Sequence, residues 1–377
     1  RYVGGCIRKI INKEKVDDID LATNLEPPQV CEALKNNNIN FYESGIKHGT
    51  ITALVDQYKF EITTLRQDTS TDGRHAKVKF SKNWREDASR RDFTINSIYS
   101  DQDGNLFDPY QGRKDLEYGF VNFIGDADKR IKEDYLRILR YLRFFLNYSK
   151  QPHSLEIIRK LKINIDGISK LSKERLLDEL QKIIKLDTLR KLSNDKLSLN
   201  LFQIIFPELK YINIFSKLST IEKEILRKID FVFLLSLLII DETDNTDYFL
   251  YKFNISKKNQ KRIKIIHNFF KEKTNTKTFN FENMNKLFYY KGKEATIDIL
   301  NYRIIRFKKA DKALIELRKY YENKEIINMP VNANLLMNKY KISEGKLLGQ
   351  KLKMIEEKWV NNSFEISDQE VEKIVRN

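Results

Sequence analysis

At 377 residues with 41% hydrophobic content, the chain exceeds what one compact core serves and is apolar enough to fill two or more packed units. A formal net charge of +16 and a pI near 9.4 draw polyanions and put nucleic acid first among partners, although Lys, Asn and Ile abound throughout and a solvated basic surface has the same composition. Only two cysteines, Cys6 and Cys31, are present without a CxxC pair, which leaves no disulfide framework or zinc motif to read and fits a reducing cytoplasm.

The opening Arg1-Tyr2-Val3-Gly4-Gly5 has no initiator Met and no signal-peptide pattern, and a short leading segment is expected before it. Gly4-Gly5 lies where a strand turns into a helix, with Arg8 just beyond. Bare backbone there lets N–H groups approach a phosphate, and a guanidinium grips one bidentately; a Gly-Gly pair is also an ordinary turn. Asp18-Ile19-Asp20-Leu21-Ala22 sets carboxylates at i and i+2, on one face of a strand, with Ile19 and Leu21 directed into the core. Hard oxygen donors so placed suit Mg²⁺, which shares its sphere with water and substrate phosphates, whereas a DxD alone is more often surface polarity. Residues 51–55 and 60–64 alternate as strands. Glu61 in the second is the candidate third carboxylate or, alternatively, the cross-strand partner of a Lys. Arg90-Arg91-Asp92-Phe93-Thr94-Ile95-Asn96 is a charged turn leading into a buried segment, and Asp103-Gly104 marks a hairpin.

Beyond residue 128 the texture changes to helical periodicity, over residues 135–145, 173–185 and 221–240, so an α+β head followed by an all-helical remainder is predicted. Residues 133–144 read as helical, with arginines at every third position beside a Leu136, Leu139, Leu142 stripe and with Asp134 and Arg137 as surface neighbours. Residues 231–240 form a buried helix, short of the ~20 residues of a membrane span, and no membrane partner is expected. Basic runs at 257–264 and 303–309, with Phe269 and Phe270 packing inward, suit either RNA phosphates or a solvated helix face. With no repeat and no Pro-rich or Gly/Ser linker visible, the domains are expected to share continuous helices.

In order, Val3-Gly4-Gly5-x-x-Arg8, Asp18-x-Asp20-Leu21-Ala22-Thr23, Arg90-Arg91-Asp92-Phe93-Thr94-x-Asn96, Asp108-Pro109-x-x-Gly112 and Glu133-Asp134-x-x-Arg137-x-x-Arg140-x-x-Arg143 resemble the class II tRNA nucleotidyltransferase and bacterial poly(A) polymerase family. Leu171-Ser172-Lys173-Glu174-Arg175-x-x-x-Glu179-Leu180 is similar to its neck-helix motif. The resemblance implies a polymerase β-like head (1–125), a neck with the nucleotide-binding helix (126–190), a body (191–270) and a tRNA-binding tail (271–377). It further implies that Gly5 and Arg8 hold phosphates, that Asp18 and Asp20 bind Mg²⁺, and that Arg91, Asp134, Arg137, Arg140 and Arg143 surround the incoming nucleotide. The implied activity is template-independent addition of CMP and AMP, from CTP and ATP, to the tRNA 3′ end by two-metal phosphoryl transfer; poly(A) synthesis and a catalytically silent RNA-binding protein are the alternatives. Two features depart from the family pattern: Lys9 stands where Asp or Asn is usual, and Ile11-Asn12-Lys13-Glu14-Lys15 lacks the usual glycine.

Cytosine and adenine both present an amino donor beside a ring-nitrogen acceptor, so a carboxylate at Asp134 and a guanidinium at Arg137 complement both and mismatch uracil and guanine. Residues 65–74 resemble the flexible loop of members that complete the CCA end, and Gly45-Ile46-Lys47-His48-Gly49-Thr50 resembles the tRNA-specific branch. Gly345-Lys346-Leu347-Leu348-Gly349 with Trp359 resembles the tail of alphaproteobacterial members, Trp359 itself being core or contact. No histidine among His48, His75, His153 and His267 adjoins an aspartate, so the phosphohydrolase domain of some relatives is not expected.

Overall fold

The computed structural model describes residues 1–71, 76–271, 278–325 and 328–376. They form two compact units, Arg1–Pro207 and Glu208–Asn377. The first begins with β1 (Tyr2–Val3), α1 (Gly5–Ile11), β2 (Asp20–Thr23), α2 (Pro27–Asn36), β3 (Asn40–Gly45), β4 (Thr50–Val55), β5 (Tyr58–Thr64), β6 (Arg66–Thr71), β7 (Ala76–Phe80), α3 (Trp84–Ser89), β8 (Tyr99–Ser100) and β9 (Leu106–Phe107). It continues as α4 (Gly112–Tyr118), α5 (Ala127–Glu133), α6 (Leu136–Tyr148), α7 (Leu155–Ile163), α8 (Lys173–Ile183), α9 (Leu186–Asn194) and α10 (Lys196–Ile205). The α+β head and helical remainder are therefore as the sequence predicts.

Seven strands pair in the order β3-β4-β5-β2-β1-β8-β9, and β6 and β7 form a separate hairpin. Only β2 and β5 run parallel in the larger sheet, with Asp20 opposite Glu61 and Leu21 opposite Ile62. Ile62 packs with Val30, Leu34, Ile51 and Ala53 under α2. The two-residue alternation then sends Asp20 and Glu61 to the other side. There Ala22 is 3% exposed in a cluster with Val3, Leu65, Ala88 and Tyr99. Ile19 and Leu21 are only half-buried; Ala22 is the buried residue of this strand, because α3 and Tyr99 cover the sheet beside it. The predicted Asp103-Gly104 turn joins β8 to β9, Gly104 at φ 86° and the Asp101 carboxylate accepting from the Asp103 and Asn105 N–H groups.

The second unit is α11 (Thr220–Arg227), α12 (Phe231–Ile239), α13 (Asn245–Lys252), α14 (Lys257–Lys271), α15 (Phe281–Lys291), α16 (Lys293–Arg306), α17 (Lys312–Asn323), α18 (Ala333–Tyr340), α19 (Lys346–Asn361) and α20 (Asp368–Arg376). Three expectations are corrected. The helix predicted over 221–240 is two, because the Asp230 carboxylate accepts the Phe233 N–H at 3.0 Å and restarts the chain as α12. No continuous helix joins the units, because α10 stops at Ile205, two residues before Pro207. Residues 133–144 are likewise not one helix, as described below. Helix α12 is buried from Phe233 to Ile239, and Trp359 is core at 1% exposure. No helix among the described residues is long and apolar enough to cross a membrane.

Candidate functional site

Asp20 opens β2 and Asp18 lies in the segment leading into it, both on the approach to the in-register Glu61. Asp20 is half-buried while Asp18 and Glu61 are exposed. Burial first, then the charges of Asp18 and Glu61, push the Asp20 carboxyl above its ordinary value against the opposing pull of Arg91. The cross-strand neighbours of Glu61 are Asp20 and Thr52, so the alternative of a Lys partner does not hold. None of these three carboxylates makes an ion pair among the described residues. Mutual repulsion of this kind is what a hard divalent cation relieves, and the donor set fits one. No three His, Cys, Asp or Glu residues among those described converge as a complete metal cage. Water and phosphate oxygens would have to complete the sphere, the usual habit of Mg²⁺.

The start of α1 is tied to this patch through Cys6, whose Sγ donates to the Val3 carbonyl at 3.2 Å and to the Asp20 carbonyl at 3.8 Å. Gly4 takes φ 72°, and a Cβ there would lie 3.3 Å from the Arg91 Nη1 and 3.5 Å from the Asn96 carbonyl oxygen. The positive φ demands glycine, while the space would need only a small shift of the flexible Arg91 side chain. At Gly5 a Cβ would meet only Arg8, at 3.9 Å, so its bare backbone is not required for packing.

Arg8 is 7% exposed, donates to Asn96 Oδ1, and lies over the rings of Phe144 and Tyr148 at 4.7 and 5.0 Å. It has no carboxylate partner, and its Nε is buried without a hydrogen bond among the described residues. The other cations are compensated. Arg91 donates to Asp87 at 3.2 Å and to the Tyr99 hydroxyl at 3.0 Å. Arg140 donates to Asp92 at 2.6 Å, and Arg143 to Glu179, a carboxylate only 1% exposed. Burial alone would raise Asp92, but the Arg140 guanidinium, the Asn96 amide and the Phe93 N–H hold it down at about 2. Burial, with the like charges of Arg140 and Arg8, lowers Arg143 despite Glu179. The guanidiniums thus crowd together with Arg8 in excess.

The α5–α6 joint corrects the expected helix. Asp134 is extended (φ −155°, ψ 105°) and its Oδ1 accepts the Leu136 N–H at 3.1 Å, capping α6 rather than standing on it. Asp134 and Arg137 do not pair with each other. Asp134 Oδ2 accepts from Arg175 of α8 at 2.7 Å, while Arg137 Nη1 donates to Glu133 at 2.7 Å and to the Arg130 carbonyl at 2.6 Å. Arg130 also donates to the Arg90 and Arg91 carbonyls, joining α5 to the turn after α3.

Sequence reasoning named the arginines but missed Asp87, Asp92, Asn96, Glu133 and Glu179 as the groups that hold them, and Arg175 as the partner of Asp134. Apart from Asp87, which lies in no quoted stretch, their signal lay in the motifs themselves. Asp108-Pro109-x-x-Gly112 has a structural basis of the same kind: the Asp108 carboxylate accepts the Gly112 and Arg113 N–H groups at 2.8 Å, and a Cβ on Gly112 would fall 2.0 Å from the Thr94 carbonyl oxygen. Lys9 reaches Asp17 at 3.0 Å, and Lys13 takes φ 57° where the usual glycine is missing. Residues 66–71 of the expected flexible loop form β6, paired with β7, and Asp72-Gly73-Arg74 lie outside the described residues, as does His75.

Residues 1–122 match the poly A polymerase head domain, 151–212 the probable RNA and SrmB-binding site of polymerase A, and 227–375 a putative tRNA nucleotidyltransferase domain 2. The human mitochondrial CCA tRNA nucleotidyltransferase 1 is 46% identical over 187 residues, covering 49% of this chain and 43% of that protein. The three family models thus together match most of the chain, each over less than half of it. The CCA-adding enzyme of Staphylococcus haemolyticus is 32% identical over 249 residues, covering 65% of this chain and 59% of that protein. The chain thus spans about half the length of the curated relatives that it matches. Among solved structures, a Bacillus stearothermophilus CCA-adding enzyme in complex with CTP shares the fold of this chain at TM-score 0.72 and 21% identity, the match covering 100% of this chain and 92% of that one.

Proposed function

We propose that the chain adds CMP and AMP to the 3′ end of tRNA without a template, drawing on CTP and ATP. The observation that carries this reading is the pairing of two uncompensated charges: the Asp18, Asp20, Glu61 carboxylates without a cation, and the buried Arg8 without an anion. A metal-bound triphosphate supplies both missing partners. Asp18 and Asp20 would hold the Mg²⁺ ions, with Glu61 beside them. When bound, the metals would lower the pKa of the terminal ribose hydroxyl and neutralise charge on the departing pyrophosphate. Gly5 leaves backbone N–H groups open to phosphate oxygens, and Arg8 and Arg91 add guanidinium donors. Arg140 and Arg143, held by Asp92 and Glu179, shape the nucleotide pocket around that charge. A carboxylate has about four lone-pair sites, so Asp134 can accept from a base amino group while Arg175 keeps its hold. Arg137 uses Nη1 for Glu133, and its remaining N–H groups can serve the ring nitrogen. Positioning and electrostatic stabilisation carry this chemistry, with no covalent enzyme intermediate.

Names of relatives favour tRNA as substrate, the human protein and the bacterial ones all being CCA enzymes, and a Thermotoga maritima enzyme of this fold was solved complexed with tRNA. The head's likeness to the poly A polymerase domain supports the second reading, RNA tailing. Incubation with CTP, ATP, Mg²⁺ and a tRNA lacking its CCA end separates the two: addition stops after CCA on the first reading and runs to a long adenosine tract on the second. Absence of any extension favours a silent RNA-binding protein. Cys6 and Cys31 are both free, which fits the cytoplasm; the mitochondrial name of the human relative makes cell fractionation the deciding measurement.

A further inference from the structure

The second unit contains a pocket of about 660 Å³ that nucleotide transfer by the head does not use. That volume suits a small organic ligand. Its aromatic wall is Phe270, stacked on Phe307 at 5.6 Å between centroids and packed on Tyr302 at 4.6 Å. Its cations differ in availability. Lys210 is consumed by Asp241 at 2.6 Å, which also removes that carboxylate as a source of repulsion. Arg306 lies over the Tyr211 ring at 3.2 Å and is hydrogen-bonded to the Tyr302 hydroxyl; among the described residues it pairs with no carboxylate and its Nε has no hydrogen-bond partner. His267, 4% exposed, also lines the pocket, and its Nε2 is equally unpartnered. Two buried nitrogens left unsatisfied in one pocket are costly to the fold unless something else bonds to them.

We propose that this pocket binds a nucleoside monophosphate unit, its base against the Phe270–Phe307 wall and its phosphate at Arg306, with His267 Nε2 as a further hydrogen-bonding group. Planar bases stack on aromatic side chains whatever their sequence, and guanidinium is the best-matched protein group for phosphate oxygens. The unit is either a free mononucleotide or one unpaired nucleotide of an RNA strand; the chemistry recognised is the same. The assignment is independent of the head's activity, because every residue in it lies beyond Pro207.

The test is photolabelling of the full chain with 8-azido-AMP in EDTA, with adducts mapped by peptide mass spectrometry. Labels on peptides carrying Tyr211, Phe270 or Phe307 are expected, and attachments below residue 208 report the head separately. R306Q should cut labelling in the second unit about tenfold, the size of one lost stacking or charged contact. F307L, at a side chain 45% exposed, gives a second variant that leaves the core intact, and thermal melting checks both. Unlabelled AMP as the better competitor identifies a free nucleotide; a short single-stranded RNA as the better competitor identifies a nucleotide within RNA. Labelling confined to the head, failure of both competitors, or undiminished labelling in folded R306Q and F307L overturns the proposal.

Discussion

Asp18, Asp20 and Glu61 form one carboxylate trio of the first unit, and Asp87, Asp92 and Glu179 supply another set, yet the two are opposite in electrostatic design. Among the described residues the first set stands without ion pairs, repels itself and has Asp20 pushed up. Each member of the second is buried and bonded to a guanidinium, with Asp92 held at about 2. A fold that leaves charge uncompensated spends stability that only a ligand returns, whereas a compensated set fixes positions. The contrast separates charges that wait for a partner from charges that hold the scaffold within one compact unit.

The sharpest way to break that contrast is Asp20→Asn. On the proposed reading, extension of truncated tRNA falls by about 10³-fold or more, while the melting temperature holds or rises because a repelled charge has gone. A variant that extends normally, or that melts early, puts Asp20 with the scaffold. The converse change is Glu179→Ala, which strands Arg143 in a buried position and should cost about 3–5 kcal/mol in urea unfolding; a cost under about 1 kcal/mol would mean that solvent already screens the pair.

A smaller effect is expected at the α5–α6 joint. Asp134→Ala should lose about tenfold to hundredfold discrimination against UTP and GTP in a misincorporation assay, and unchanged selectivity would leave Asp134 as a helix cap alone. The smallest is pH. A proton competes with the metal for the Asp20 carboxylate, so at subsaturating Mg²⁺ activity should decline on acidification sooner than an ordinary Asp would dictate, while Asp92 is still charged, and saturating Mg²⁺ should remove the difference. The raised Asp20 makes the fold less stable once ionised, and acidification relieves it. The depressed Asp92 adds stability that is complete above about 3.9 and is lost as the pH falls towards about 2. An acid limb of activity that tracks unfolding would remove this distinction.

Much of the site was legible because its residue types sit in short local patterns. Gly4 is required by a positive φ, and Asp20 is placed opposite Glu61 by the register of β2 and β5, although Asp18 lies before the strand rather than on it as the two-residue spacing predicts. The partners of the arginines were harder to read, since Arg140 meets Asp92 and Arg143 meets Glu179 across long stretches of chain. Asp134 was misread for a related reason. Residues 133–144 keep helical periodicity, but a short carboxylate that can cap the next N–H competes with the helical ladder, and Arg175 in α8 tips the balance. Asp230 divides a predicted helix in the same manner.

Composition and local pattern by themselves determined the α+β head, the helical remainder and the candidate carboxylates and arginines, because periodicity and turn chemistry act over a few neighbouring residues. Tertiary structure alone decided which charges are neutralised and which wait for a partner, and where an aromatic pocket gathers Arg306 and His267. Coulomb interaction and burial depend on distance through the fold, and no local pattern encodes that distance.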